Sequence, residues 1–131
     1  MPDEIYKTTR ADFERYKKET KYWVERFGLT DIEMFVEHDQ IDEEARAVAI
    51  VQLEAKIARS ILQQVWTSKP SDGEIERVAF HEFMEVLLSP LWVLATRRHI
   101  TEDELESARH GIIRRFENCL WKENFRRRKK K

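Results

Sequence analysis

Residues Glu74 to Leu94 read EIERVAFHEFMEVLLSPLWVL, and the reading of this run decides the fold. Apolar side chains recur at nearly every angle of a helix drawn through it: Ile75, Val78, Phe80, Phe83, Val86, Leu87, Leu91 and Trp92 among them. A helix that is apolar all round belongs in the middle of a domain. Its centre, however, is His81-Glu82-Phe83-Met84-Glu85, with three ionisable groups. Burying an uncompensated charge is costly, so the three need a common explanation. His81 and Glu85 are four apart and share a face, and Glu82 lies about 100° round the axis.

A metal ion would explain all three. The pattern is HExxE, the HExxH layout of a zinc-binding helix with Glu in place of the second His. Without a metal, His81 reads as a hydrogen-bonded core histidine and the carboxylates need polar partners.

Outward from this helix, Thr67 to Gly73 is the clearest linker, with Pro70, Gly73 and possible caps at Ser68 and Ser71. Ser71 and Glu74 have capping-box spacing, so the helix starts near Asp72. Pro90 lies inside the apolar run and predicts a kink or break after Leu88 or Ser89. The run from Val86 to Leu94 is then too short to span a bilayer, and no membrane association is expected. Thr101 and Glu104 open a last helix whose core face is Leu105, Ala108, Ile112, Phe116 and Leu120. Gly111 costs that helix about 1 kcal/mol relative to Ala, which close approach of another backbone would justify.

Upstream, a first helix begins at Thr8 or Thr9 and stops at Gly28. Phe13, Tyr16, Thr20, Trp23 and Phe27 line one side of it, at the spacing of a core face. Alternation of Ile32, Met34 and Val36 with Glu33, Phe35 and Glu37 predicts a half-buried strand ending at His38-Asp39. The acidic stretch Asp39 to Glu44 is a loop, and Ala45 to Leu53 is a second strand. Lys56 to Val65 fits a third strand, but Leu53, Ile57, Ile61 and Val65 also fit a helix. Glu54-Ala55-Lys56 is accordingly a tight turn or mid-helix.

The chain has 131 residues, 37% charged and 41% hydrophobic, with net charge −1. That suits a single soluble domain (residues 1–125) with a core of its own, followed by a basic tail (126–131). The balance excludes nucleic-acid binding by bulk charge, and only the tail Arg126 to Lys131 could make weak, non-specific phosphate contacts. The lone Cys119 forms no intrachain disulfide and suits a reducing compartment. Met1-Pro2-Asp3-Glu4 lacks the basic and apolar regions of a signal peptide. His38 and His99 read as loop or surface residues.

On the last helix, Glu106, His110 and Glu117 fall beside the apolar face, so a helix packed on the central one could present His110 to His81 and Glu85. Three protein ligands plus water is the catalytic zinc pattern. In that arrangement His81, Glu85 and His110 are ligands and Glu82 is the general base. Glu106 or Glu117 would orient His110 or replace it.

Two segments carry a family resemblance: Ala79-Phe80-His81-Glu82-Phe83-Met84-Glu85-Val86-Leu87-Leu88, and Ala108-Arg109-His110-Gly111-Ile112-Ile113-Arg114-Arg115-Phe116-Glu117-Asn118. In these and in element order, roughly from Thr9 to Leu120, the chain resembles small phage- and prophage-encoded metallopeptidase-like proteins. The resemblance implies an α+β, zincin-like minimal domain: N-terminal helix, two or three short strands, central HExxE helix, C-terminal closing helix. It also implies zinc, a peptide or protein substrate, and the cytoplasm of a phage-infected or lysogenic host cell. The departure is Glu85, where that family usually carries His. A carboxylate also ligates zinc, so the centre is either active with a changed ligand or degenerate. The competing readings are a non-enzymatic accessory protein that uses its apolar faces for a protein partner, and a nucleic-acid-associated factor using the tail.

Overall fold

A computed structural model describes residues 5–123 and Arg127. The elements are β1 (Tyr6–Lys7), α1 (Arg10–Phe27), β2 (Glu33–Asp39), β3 (Ala47–Gln52), β4 (Ile57–Gln63), β5 (Val65–Trp66), α2 (Asp72–Thr96) and α3 (Glu102–Phe116). A π-helical turn, Glu117–Trp121, prolongs α3. The protein is thus an α+β domain.

Local chemistry sets the limits of α1. Thr9 and Asp12 exchange side-chain and backbone hydrogen bonds of 3.1 and 2.9 Å, a complete capping box. At the other end Gly28 adopts the left-handed conformation, φ 60°. Its N–H reaches Glu25 O and the Leu29 N–H reaches Val24 O, the Schellman pattern. Tyr16, Thr20 and Phe27 are buried, so the aromatic stripe is a core face.

The region Leu53–Gln63 resolves into turn and strand. Lys56 N–H closes the turn on Leu53 O at 3.1 Å, and Lys56 itself has φ 56°. β4 then runs between β3, antiparallel, and β2, parallel, in the order β2-β4-β3. As the central strand, β4 is buried at Ala58, Ser60, Ile61, Leu62 and Gln63. That two-sided burial explains why its sequence lacks clean alternation. A second pair, β1 with β5, is held beside it by Thr8, whose hydroxyl donates to the carbonyls of Gln63 and Gln64. Neither short strand is expected from the sequence.

Helix α2 departs from expectation in two ways. It runs unbroken through Pro90. Proline leaves the carbonyl four residues back, Val86 O, without its helical donor; the Ser89 hydroxyl donates to that carbonyl at 2.6 Å instead. The helix is therefore 25 residues long, and by length and composition alone would cross a membrane. Here Ile75, Ala79, Phe83, Val86 and Leu87 pack into the core. Second, α2 is not buried all round. His81, Glu85, Leu88 and Trp92 form an exposed stripe at i, i+4, i+7 and i+11, with Leu91 beside it.

Helix α3 packs beside α2 as expected, but on a different face. Ile112, Arg115 and Cys119 are buried, Ala108 and Phe116 half-buried, whereas Leu105 and Leu120 are exposed. The Arg115 guanidinium donates to Leu87 O on α2 and pairs with Asp31 at 2.7 Å. Gly111 makes no close approach: a Cβ there would meet no atom within 4 Å.

Gly111→Ala should therefore stabilise the protein by about 1 kcal/mol, the difference in helix propensity, read as a higher denaturation midpoint. Arg115→Ala should destabilise it by about 2–3 kcal/mol, because it strips a buried carbonyl and a carboxylate of their charged donor. A destabilised Gly111→Ala variant would show that the residue serves a conformation other than this helix.

Candidate metal centre

The centre is one turn of α2 read from two sides. The i, i+4 spacing puts His81 and Glu85 on the exposed stripe, with side chains 71% and 55% exposed and His81 Nε2 4.0 Å from Glu85 Oε1. Glu82 turns inward and is only 6% exposed. Ligand atoms of the three lie within 4.8 Å of one another. The sequence predicts three ionisable groups inside the domain; only Glu82 is inside.

Glu82 sits along the buried face of α2 between Ala79 and Phe83. Its Oε2 is buried without a hydrogen-bond partner, singled out in this respect among the described residues. Burial raises its pKa to about 8, and the neighbouring Glu85 carboxylate adds to the effect. Glu82 is therefore held protonated near neutrality. Tyr16 on α1 is buried and bonded to Ser60 Oγ on β4 at 2.5 Å. Burial raises its phenol pKa, the Ser60 bond opposes that, and the charges of Glu82 and Glu85 reinforce it.

The donor set suits a divalent ion. One imidazole and two carboxylates are borderline-to-hard ligands of the kind zinc and manganese accept. Ligands sharing one zinc at about 2.0–2.2 Å stand roughly 3.3–3.6 Å apart. Rotation of the exposed His81 and Glu85 side chains would close most of the gap from 4.8 Å. A cation would also give the orphaned Glu82 oxygen a partner.

His110 does not join them. Helices α2 and α3 are antiparallel: Arg115 bonds to Leu87 O, while Leu105, Glu106 and Arg109 lie level with Leu91. His110 therefore falls nearer Leu91 than His81, an axial offset on the order of 10 Å at about 1.5 Å per residue. It is exposed, with Nε2 3.6 Å from Glu106 Oε1. Neither Glu106 nor Glu117 belongs to the converging group. Among the described residues the structure thus brings Glu82, not His110, within reach of His81 and Glu85, all three on one helix.

The other candidates have structural roles or lie apart. His38 stacks on Phe13 with centroids 5.1 Å apart and hydrogen-bonds Thr8 at 2.7 Å. His99 is exposed and Cys119 is a buried free thiol. The basic tail lies outside the described residues except Arg127, which pairs with Glu123 at 3.3 Å. Sequence reasoning missed Tyr16 and Ser60 as neighbours of the site. Nothing local signals a hydroxyl pair 44 residues apart.

No known protein family, curated protein or solved structure matches the chain. The zincin-like and peptidase readings accordingly belong to the proposal below.

The Glu82 pKa has a consequence for metal-free protein. A carboxyl raised from about 4.5 to about 8 favours folding while protonated. That contribution is complete below the unfolded value and is lost as pH rises towards 8, because the unfolded chain has already released its proton. In chelator-treated protein the denaturation midpoint should fall between pH 5 and pH 8, ends set by the two values of Glu82. Glu82→Gln keeps a neutral side chain at every pH and should flatten the fall. Equal slopes in the two proteins would remove Glu82 as its source.

Proposed function

We propose that the protein is a zinc-dependent, metallopeptidase-like hydrolase built on a minimal zincin-like domain. The observation that carries this reading is a buried carboxylate with a partnerless oxygen, set against an exposed His–Glu pair on the same helical turn. In this reading His81 and Glu85, both exposed, would hold the ion on the solvent side of α2, where water and substrate have access. Bound zinc supplies acidification of that water and polarisation of a carbonyl. Glu82 accepts the proton; its raised pKa suits proton transfer near neutral pH once a neighbouring cation favours the ionised form. The substrate class is a peptide or protein, approaching along the exposed face of α2. The resemblance assigns the chain to the cytoplasm of a phage-infected or lysogenic cell, which agrees with a free Cys119.

One specific observation favours a second reading, a non-enzymatic accessory protein that binds a protein partner. All the converging donors come from a single helix, and next to them Leu88, Leu91 and Trp92 stand exposed. The degenerate centre would then be a relic on an interaction surface.

Zinc titration of chelator-stripped, untagged protein separates these readings. Wild type should bind one zinc and gain thermal stability with zinc concentration, by mass action on the native state. His81→Ala and Glu85→Ala should each lose most of the zinc and the stability gain. Glu82→Gln should keep the zinc and lose peptide hydrolysis by about 10²-fold or more. Loss of zinc in Glu82→Gln would make Glu82 a ligand and remove the base. Wild type without stoichiometric zinc near neutral pH would end the metalloenzyme reading.

A further inference from the structure

The outer side of α3 and its π-helical extension carries a pattern that the metal centre does not use. Leu105, Arg109, Ile113 and Glu117 follow one i, i+4 ridge, and Leu120 continues it. The three apolar members are 46%, 44% and 58% exposed, although each is large enough to belong in a core. Arg109 and Glu117 are exposed, and among the described residues neither has an ion-pair partner. Leu91 of α2 borders the same ridge, together with Glu102 and Glu106.

The order of these residues is self-complementary about Ile113. If the ridge is laid antiparallel on a copy of itself with Ile113 against Ile113, Arg109 comes opposite Glu117 twice, four residues to each side. Leu105 comes within one residue of facing Leu120, again twice. Antiparallel helix dipoles add to the match. A two-fold interface needs this property, that the same patch serve both sides.

We propose that the exposed ridge of α3 is a homodimer interface, with a second copy of this chain as its occupant. The ridge from Leu105 to Leu120 is roughly 24 Å of helix at about 1.5 Å per residue, and Leu91 widens it. The dimer does not depend on the metal centre.

Sedimentation of the full chain in chelator, from about 1 µM to about 1 mM, tests this. Wild type should pass from 15.9 kDa to twice that mass. Arg109→Glu and Glu117→Arg should each weaken association about tenfold or more, because each sets like charges opposite one another on both sides of the axis. The double variant restores opposite charges and should regain most of the loss. Ile113→Lys should be monomeric throughout, with an unchanged circular dichroism spectrum and melting midpoint. A wild type that stays monomeric overturns the proposal, whether or not its apolar face then takes up phospholipid vesicles. So does a dimer that the double swap fails to restore.

Discussion

A helix of 25 residues cannot be covered on every side by two helices and a small sheet, and the packing of α2 follows from that limit. One side meets everything. Ile75 and Ala79 pack with Tyr16, Leu62 and Trp66, while Phe83, Val86 and Leu87 pack with Phe27, Leu29 and Ala58. Glu82 is buried on the same helix. Within the second of these two groups of core residues, the aromatic contacts of Phe27 with Phe83 and with Phe116, at 5.4 and 5.8 Å, tie α1 to α2 and to α3. What the core cannot reach, the stripe through His81, Glu85, Leu88 and Trp92, is left to solvent.

Much of this was legible because the signals are local. Thr9 with Asp12, Gly28, Ser71 and Thr101 each act through a hydrogen bond or a backbone angle within a few residues, so chain order alone locates the helix ends. Strand β4 was ambiguous for a physical reason: a strand buried on both faces loses its period of two, and Ile57 and Ile61 then satisfy a helical period as well. The pairing of β1 with β5 was not legible at all, since two residues carry no period. In α3 the sequence holds two apolar rows, Ala108–Ile112–Cys119 and Leu105–Ile113–Leu120. Periodicity identifies both but does not say which one the core takes. Arg115 settles it through Asp31 and Leu87 O, partners 84 and 28 residues away.

The site divides in the same way. That His81 and Glu85 share a face follows from 3.6 residues per turn, and the structure keeps it. Which face turns inward depends on the neighbours of α2, and there the reading inverted: one carboxylate is inside while the histidine and its partner are outside. The expectation for His110 depended on the axial register of two helices. Composition does not encode register, and the short antiparallel connection at Arg97 to Ile100 leaves His110 level with Leu91, short of His81.

Burial of Glu82 gives the site its chemical leverage. With no cation near, burial keeps the Glu82 carboxyl protonated and spares the core a charge. A divalent ion held by His81 and Glu85 would stand a few ångströms from the same carboxyl. With one of its two charges offset by the Glu85 carboxylate, the ion contributes about 4 kcal/mol in favour of the ionised form at about 4 Å and an effective dielectric near 20. That is comparable with the burial penalty behind a carboxyl pKa near 8. The two states of Glu82 are therefore close in energy. Such near-balance is what a proton acceptor requires, and a carboxylate fully exposed beside His81 would not have it.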